Sequence, residues 1–168
     1  NPFAPALDLA PLEHSREEYT HYIDLHVPAA NEVNGSRAHR KALKKARREG
    51  VTVVPASTAQ EWETCRELYG RSIRRWKEKK SWIRGRKAYP KKLFDELRSL
   101  SSGQCTLWCA RHASRMVAGL ICFYWNNHAV TWLGSADAGA FSVRPNNLLY
   151  QHVIDDARRR GMRWMDFN

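Results

Sequence analysis

The sequence predicts an α+β domain built on a mixed β-sheet, and three observations predict it. The second half holds three β-rich runs, Gln104–Arg111, Met116–Trp125 and Ala129–Gly134, which only the turns Ala113-Ser114 and Asn126-Asn127 separate. That is the pattern of an antiparallel meander. A loop, a helix and a last apolar strand, Arg163–Phe167, follow it, so the final strand can return parallel through a right-handed crossover. Before the meander, helical periodicities flank one short β-branched run. With 168 residues the chain suits one compact domain with a sizeable core.

Taken in order, residues 1–13 form an irregular lead-in carrying Pro2, Pro5 and Pro11, and residues 14–168 form the domain. Ser15 to Glu18 reads as a capping box opening a short helix that runs to about Leu25 and stops before Pro28. Gly35-Ser36 introduces a helix over Arg37–Glu49 that Gly50 closes, with a narrow stripe of Ala38, Ala42, Leu43 and Ala46. Val51–Val54 is the short strand. Thr58 and Glu61 form a second capping box, and Trp62, Cys65, Tyr69, Ile73 and Trp76 share one face of the long helix behind it. That helix is expected to end near Lys80. A basic, aromatic loop, Ser81–Tyr89, leads to Pro90 in the first turn of a helix ending near Leu100. After the meander, residues 137–144 make a loop of small residues. The next helix, Asn147–Arg160, takes Asn146 as its N-cap, and Leu149, Val153 and Ala157 are its apolar stripe. The chain opens on Asn1-Pro2-Phe3 and closes on Asp166-Phe167-Asn168, which reads as a domain trimmed from a longer protein.

The net charge is +11, and 16 of the 28 Lys and Arg fall in two stretches, Arg37–Arg48 and Arg71–Lys87. Such clusters attract polyanions: phosphates, nucleic acid, CoA or anionic lipid. One rival to an enzyme is therefore an RNA- or DNA-binding module, in which the basic helix joins Arg71, Arg74, Arg75, Trp76, Trp82 and Tyr89. A membrane-surface role is weaker, because the apolar face of the basic helix is mostly alanine. The longest apolar run, Met116–Trp125, is far too short to span a bilayer. Cys65, Cys105, Cys109 and Cys122 sit in apolar patterns and read as buried reduced thiols, hence a cytoplasmic setting. The seven histidines are scattered without zinc spacing, so no metal site is expected, and neither a nucleophile elbow nor a phosphate-binding lysine loop occurs.

The most informative segment is Ser142-Val143-Arg144-Pro145-Asn146-Asn147-Leu148-Leu149. A helix N-terminus presents unpaired N–H groups and partial positive charge, and Arg144 adds a bidentate donor for phosphate. Three antiparallel strands, a loop and this helix, running from Leu148-Leu149-Tyr150 to Asp156-Ala157-Arg158-Arg159-Arg160-Gly161, resemble the acyl-CoA motif of the Gcn5-related N-acetyltransferase (GNAT) superfamily. More narrowly, Arg144 to Tyr150 with Gly161 and Asp166-Phe167, and the early Ser36 to Ala46 stretch, are similar to the Fem-like branch. Fem proteins transfer amino acids from aminoacyl-tRNA to peptidoglycan precursors. The resemblance implies a GNAT-like mixed sheet with its antiparallel meander flanked by helices. It also implies an acyltransferase moving an acyl or aminoacyl group from acyl-CoA or aminoacyl-tRNA to an amine, with no metal.

It further implies that the helix start holds the donor's phosphates, making Arg144, Asn146 and Asn147 the donor-binding residues. The acyl arm then lies between Ala129–Gly134 and Arg163–Phe167. The chain departs from the superfamily's glycine-rich phosphate loop at 144–149, a pattern Fem-like members commonly lack. An upstream half and the elements after the last strand are expected beyond this chain. Asp137, just past the third meander strand, is the nearest carboxylate for a general base. Asp166 is a second candidate for the same cleft, and a structural reading stays open for both. Tyr124 and Trp132 are candidates to wall the acceptor site, with Arg71 and Arg75 as anion-binding residues for substrate.

Overall fold

The computed structural model describes residues 20–26, 36–79, 87–100 and 103–167. The expected capping box at Ser15–Glu18, the lead-in 1–13 and most of the basic loop, including Trp82, lie outside them. Eleven elements follow in order. They are β1 (Tyr22–Asp24), α1 (Arg37–Arg48), β2 (Thr52–Pro55), α2 (Ala59–Lys79), α3 (Lys91–Ser99), β3 (Cys105–His112), β4 (Arg115–Trp125), β5 (His128–Ala136), a 3-10 turn (Ala138–Val143), α4 (Pro145–Arg159) and β6 (Trp164–Asp166).

The strands form one six-stranded sheet in the order β1-β6-β5-β4-β3-β2. All neighbours are antiparallel except β5 and β6, which α4 links as a parallel crossover. This is the predicted α+β architecture with a mixed sheet. The meander turns have both central residues at positive φ, 48° and 61° at Ala113-Ser114 and 47° and 62° at Asn126-Asn127. That geometry matches the twist of the flanking strands. Helices cover both faces. On one, α1 and α4 bring Leu43, Ala46, Leu149, Val153 and Ala157 against Trp108, Leu120, Tyr124 and Met165. On the other, α2 and α3 bring Trp62, Cys65, Tyr69, Ile73, Phe94 and Leu97 against Leu107, Ile121 and Leu133.

The caps follow local chemistry. Ser36 Oγ accepts from His39 N at 3.2 Å, and Gly50 and Gly161 take positive φ just past their helices. Thr58 and Glu61 exchange the reciprocal bonds of a capping box, Thr58 N to Glu61 Oε2 at 3.0 Å and Glu61 N to Thr58 Oγ1 at 3.3 Å. Two expectations are corrected. Tyr22–Asp24 is not helical but pairs antiparallel with Trp164–Asp166, with Ile23 opposite Met165. The N-cap of α4 is Arg144, not Asn146. Pro145 occupies the first helical position, where its missing N–H is harmless, so the cap must precede it.

All four cysteines are buried and free, as expected. Burial pushes the thiols of Cys65 and Cys105 up to about 11 and those of Cys109 and Cys122 up to about 12. Because the thiolate is the reactive species, none of the four is expected to be alkylated by iodoacetamide in the native protein at pH 8. All four should be labelled once denaturant is added, as mass spectrometry would report.

Candidate active site

The site grows from a defect in the sheet. Thr131 pairs with Cys122 and Leu133 with Ile121, so Trp132 is an extra residue on β5 with no partner opposite it on β4. Such a bulge bends its strand and turns two successive side chains to the same side. Trp132 and Leu133 accordingly both pack toward α2 and α3. On its other edge β5 pairs with β6 from His128 only as far as Val130. Beyond that point the strand borders a cleft of about 330 Å³. Its walls are Thr131–Ala136 except Leu133, then Asn146, Leu149 and Tyr150 of α4, Ser72, Arg75 and Trp76 of α2, Phe141 and Phe167. A second cavity, about 310 Å³ and lined by Tyr69 and Tyr89, shares Trp76, Trp132 and Gly134 with this cleft.

Arg75 is the single charged residue among those walls. Its guanidinium stands 5.2 Å from the centre of the Phe141 ring, and it donates to Ser72 Oγ at 3.2 Å. Among the described residues no carboxylate lines the cleft, so a negatively charged or neutral group is favoured there over a cation. Gly134 permits close approach. A Cβ at that position would stand 3.3 Å from the Tyr150 hydroxyl.

The first turn of α4 divides two spaces. Asn146 faces the cleft, whereas Arg144 and Asn147 face a cavity of about 540 Å³ between α4 and α1. Successive helical residues are about 100° apart, which is why neighbours serve different sides. Ser36, His39, Lys41 and Lys45 of the α1 segment complete that cavity, and among the described residues no carboxylate lines it. His39 ties the two helices together. Its Nε2 lies 3.3 Å from Gln151 Oε1 and its Nδ1 3.5 Å from Asn147 Nδ2. Gln151 Nε2 donates to Asp155 Oδ1 at 3.0 Å, which turns the Gln151 oxygen toward His39. His39 therefore donates through Nε2 and accepts from Asn147 through Nδ1. Arg144 itself sits at φ 58° and ψ 42°, the left-handed region that few non-glycine residues adopt. That conformation aims the chain from the 3-10 turn into α4.

The structure gathers some predicted site residues and separates others. Arg144 and Asn147 meet in the basic cavity; Asn146, Trp132 and Arg75 meet at the cleft. Arg71, one turn before Arg75, is exposed and lines neither. Tyr124 is buried at 4% exposure with its hydroxyl between Trp108 Nε1, at 2.9 Å, and Asp156 Oδ2, at 3.1 Å, so it belongs to the core and not to the cleft wall. Asp137 caps the 3-10 turn through Gly139 N at 3.0 Å and pairs with Arg115 at 3.1 Å. Its carboxylate is thus held outside the cleft lining. Asp166 accepts from Thr20 Oγ1 through its side chain and from Thr131 Oγ1, at 3.1 Å, through its carbonyl.

Three contributors escaped the sequence reading: Tyr150, Gly134 and the pairing of Lys41 and Lys45 with Arg144. A glycine inside an otherwise apolar strand pattern was the available signal for the first two. Among the described residues no group of three or more His, Cys, Asp or Glu side chains comes together in a way that would hold a metal ion. No helix among them is long and apolar enough to cross a membrane.

A family model described as an acetyltransferase (GNAT) domain matches residues 34–168. Among solved structures the chain is similar to FemX, with a TM-score of 0.73 at 12% identity, covering 89% of this chain and 52% of that one. L-PGS from Bacillus licheniformis gives a TM-score of 0.61 at 13% identity, covering 88% of this chain and 43% of its own. The Escherichia coli N-acetyltransferase that acts on a ribosomal-protein alanine gives 0.53 at 13% identity, over 67% of this chain and 62% of that enzyme. At these identities the likeness is one of fold, and the chain spans about half the length of FemX and L-PGS. No curated protein sequence matches.

Proposed function

The chain belongs to the acetyltransferase (GNAT) domain family, and from that premise we propose that it moves an acyl or aminoacyl group from a CoA thioester or a tRNA ester to an amine. The observation that carries this reading is the bulged edge of β5, open beyond Val130 beside the first turn of α4. An extended acyl arm lying along that edge would meet backbone N–H groups able to polarise its carbonyl. Asn146 and the N-terminus of α4 stand where the arm emerges, and Arg144, Asn147, Lys41 and Lys45 offer the donor's phosphates a cationic seat.

In this reading the cleft takes the donor arm, and Trp132 separates it from the aromatic cavity that receives the amine. The attacking amine must arrive uncharged, because a cleft whose single charge is Arg75 disfavours an ammonium. Its proton then leaves through solvent, since Asp137 is committed to Gly139 and Arg115. The run of seven cations along α1 exceeds what a compact diphosphate needs and favours the tRNA ester as donor. Fully buried thiols and an amine-directed reaction accord with a cytoplasmic setting. The Fem-like resemblance of Ser36 to Ala46 and Arg144 to Tyr150 motivates a peptidoglycan-precursor amine as the acceptor to try first.

The test is a ligand-stabilisation melt with acetyl-CoA, longer acyl-CoAs and bulk tRNA at two salt concentrations. A ligand that binds the native state raises the midpoint by mass action. A shift with one CoA ester, lost in Arg144→Ala, supports the thioester donor. A salt-sensitive shift with tRNA, accompanied by aminoacyl transfer, supports the ester donor. The same shift without transfer to any amine would favour the competing reading, an RNA-binding module built on α1. No shift with any donor would sink the donor-site assignment.

A further inference from the structure

Four arginines are half-buried among the described residues: Arg66, Arg75, Arg111 and Arg158. Taking a guanidinium partly out of water is costly unless it finds a partner. Arg66 pairs with Glu63, Arg111 pairs with Glu61, and Arg158 donates to the Leu25 carbonyl at 3.5 Å. Arg75 has no carboxylate partner among the described residues. It lies over the Phe141 ring, and its Nη2 donates to Ser72 Oγ at 3.2 Å. Ser72 is 1% exposed, so the anchor is buried while the guanidinium borders the cleft. The described residues thus leave this charge unneutralised, on a cleft wall where none of them brings a carboxylate.

We propose that Arg75, together with Ser72, receives a carboxylate that one of the two reactants carries into the cleft. The assignment rests on the transferase reading above and narrows its substrates to an acidic acyl group or an acid-bearing amine. Geometry selects a carboxylate over a phosphate. With one face over Phe141 and one amino group on Ser72, the guanidinium keeps an in-plane edge that matches the two oxygens of a flat carboxylate. A phosphate dianion would exceed the charge of one arginine, and the cations suited to phosphates gather instead at Arg144, Lys41 and Lys45. Ser72 accepts from Arg75, so its own hydroxyl hydrogen is available to the same anion. Arg75 lines the cleft but not the aromatic cavity, whereas Trp76 beside it lines both. The carboxylate therefore belongs either to the far end of the acyl group or to an acceptor that reaches past Trp76. In both cases the guanidinium binds and orients the substrate and takes no part in proton transfer.

The experiment uses matched pairs that differ only in carboxylate against carboxamide. The donor pairs are succinyl-CoA with succinamoyl-CoA, and an aspartylated with an asparaginylated RNA minihelix. The acceptor pairs are Nα-acetyl-lysine and glycylglycine, each with its amide, run with acetyl-CoA and with an alanylated minihelix. In wild type, kcat/KM should favour the carboxylate member by about 10–10²-fold, as a charged hydrogen-bonded pair is worth. A preference in the donor pairs places the carboxylate on the acyl group, and one in the acceptor pairs places it on the amine. Arg75→Lys keeps the charge but not the fork and should retain a smaller preference. Arg75→Gln should bring the ratio close to unity, and Arg75→Glu should invert it. Each ratio is taken within one variant, so a loss common to both members cancels. Melting shifts induced by the same compounds read the preference without turnover. Turnover with no preference in any pair, or a preference that survives Arg75→Gln, overturns the carboxylate site and leaves the transferase reading standing. No turnover, with a carboxylate-dependent melting shift that Arg75→Gln removes, overturns the transferase reading and keeps Arg75 as a carboxylate site. Neither turnover nor such a shift overturns both.

Discussion

Replacing Glu61 by alanine is expected to destabilise the domain by about 3 kcal/mol, the range for removing a buried, hydrogen-bonded charge. Glu61 is 8% exposed and stands at the start of α2, where one carboxylate serves five donors, Ser57 Oγ at 3.4 Å being the most distant. It accepts from Ser57 N at 2.7 Å, from Thr58 N at 3.0 Å, from Thr58 Oγ1 at 3.1 Å and from the Arg111 guanidinium on β3. The residue thus caps the long helix and also pins it to the sheet. For a chain of this size the midpoint should fall by about 6–12 °C, readable in a thermal melt.

The same site gives the protein a titration signature. Burial by itself would raise the Glu61 carboxyl. The bonds from Ser57, Arg111 and Thr58 outweigh burial and hold it down at about 2 against an ordinary 4.5. A carboxyl depressed in the folded state contributes stability that is fully present above the unfolded value and is lost as pH falls through the folded one. The window here is therefore from about pH 4.5 down to 2, and the span corresponds to about 3 kcal/mol. Wild type should lose stability steeply across it, and Glu61→Ala should be less stable throughout and flatter there. A mutant as steep as wild type would show that other carboxylates dominate acid unfolding.

The capping box behind this prediction was legible in the sequence because it is local: Thr58 and Glu61 are three residues apart and need nothing else. The meander turns, the glycine stops at Gly50 and Gly161, and the apolar face from Trp62 to Trp76 were legible for the same reason. Where distant partners decide, local reading fails. Tyr22–Asp24 follows a plausible helix start, yet its partner strand lies more than 140 residues away, and pairing with Trp164–Asp166 overrides local propensity. At α4 the signal was present but misweighted. Asn146 has good capping chemistry, but Pro145 before it already occupies the first helical turn, which moves the cap to Arg144.

The candidate site was half legible. Sequence alternation places an aromatic residue on a strand but does not choose its face once a bulge intervenes. The extra residue at Trp132 turns that ring toward α2 and α3, while Tyr124, on the other face, joins Asp156 in the core. Tyr150 lay inside a recognised helix motif and had no role of its own there. Only the proximity of Gly134 reveals that its hydroxyl reaches the strand edge. Likewise the α1 cations and Arg144 are about a hundred residues apart in sequence, and their meeting in one cavity is a product of the fold.

That meeting sets the second large expected effect. With Lys41→Gln, Lys45→Gln and Arg144→Gln combined, affinity for an RNA-borne donor should fall by about 10²–10³-fold at low salt. The slope of log affinity against log salt should shrink by about two to three, since each phosphate contact releases close to one counterion. Lys41 and Arg144 are exposed and Lys45 is half-buried, and none of the three caps a helix through its side chain, so the melting midpoint of the free protein should scarcely move. A compact CoA donor makes a different demand: its diphosphate engages the helix start, and Arg144 alone should account for most of the loss. Filter binding or fluorescence anisotropy with a labelled minihelix, run from 50 to 200 mM salt (concentrations of about the range over which such slopes are read), separates the cases. A changed slope with intact melting assigns the cavity to a polyanion that runs along α1. An unchanged slope would remove α1 from the donor site and leave its seven cations as a solvated helix face.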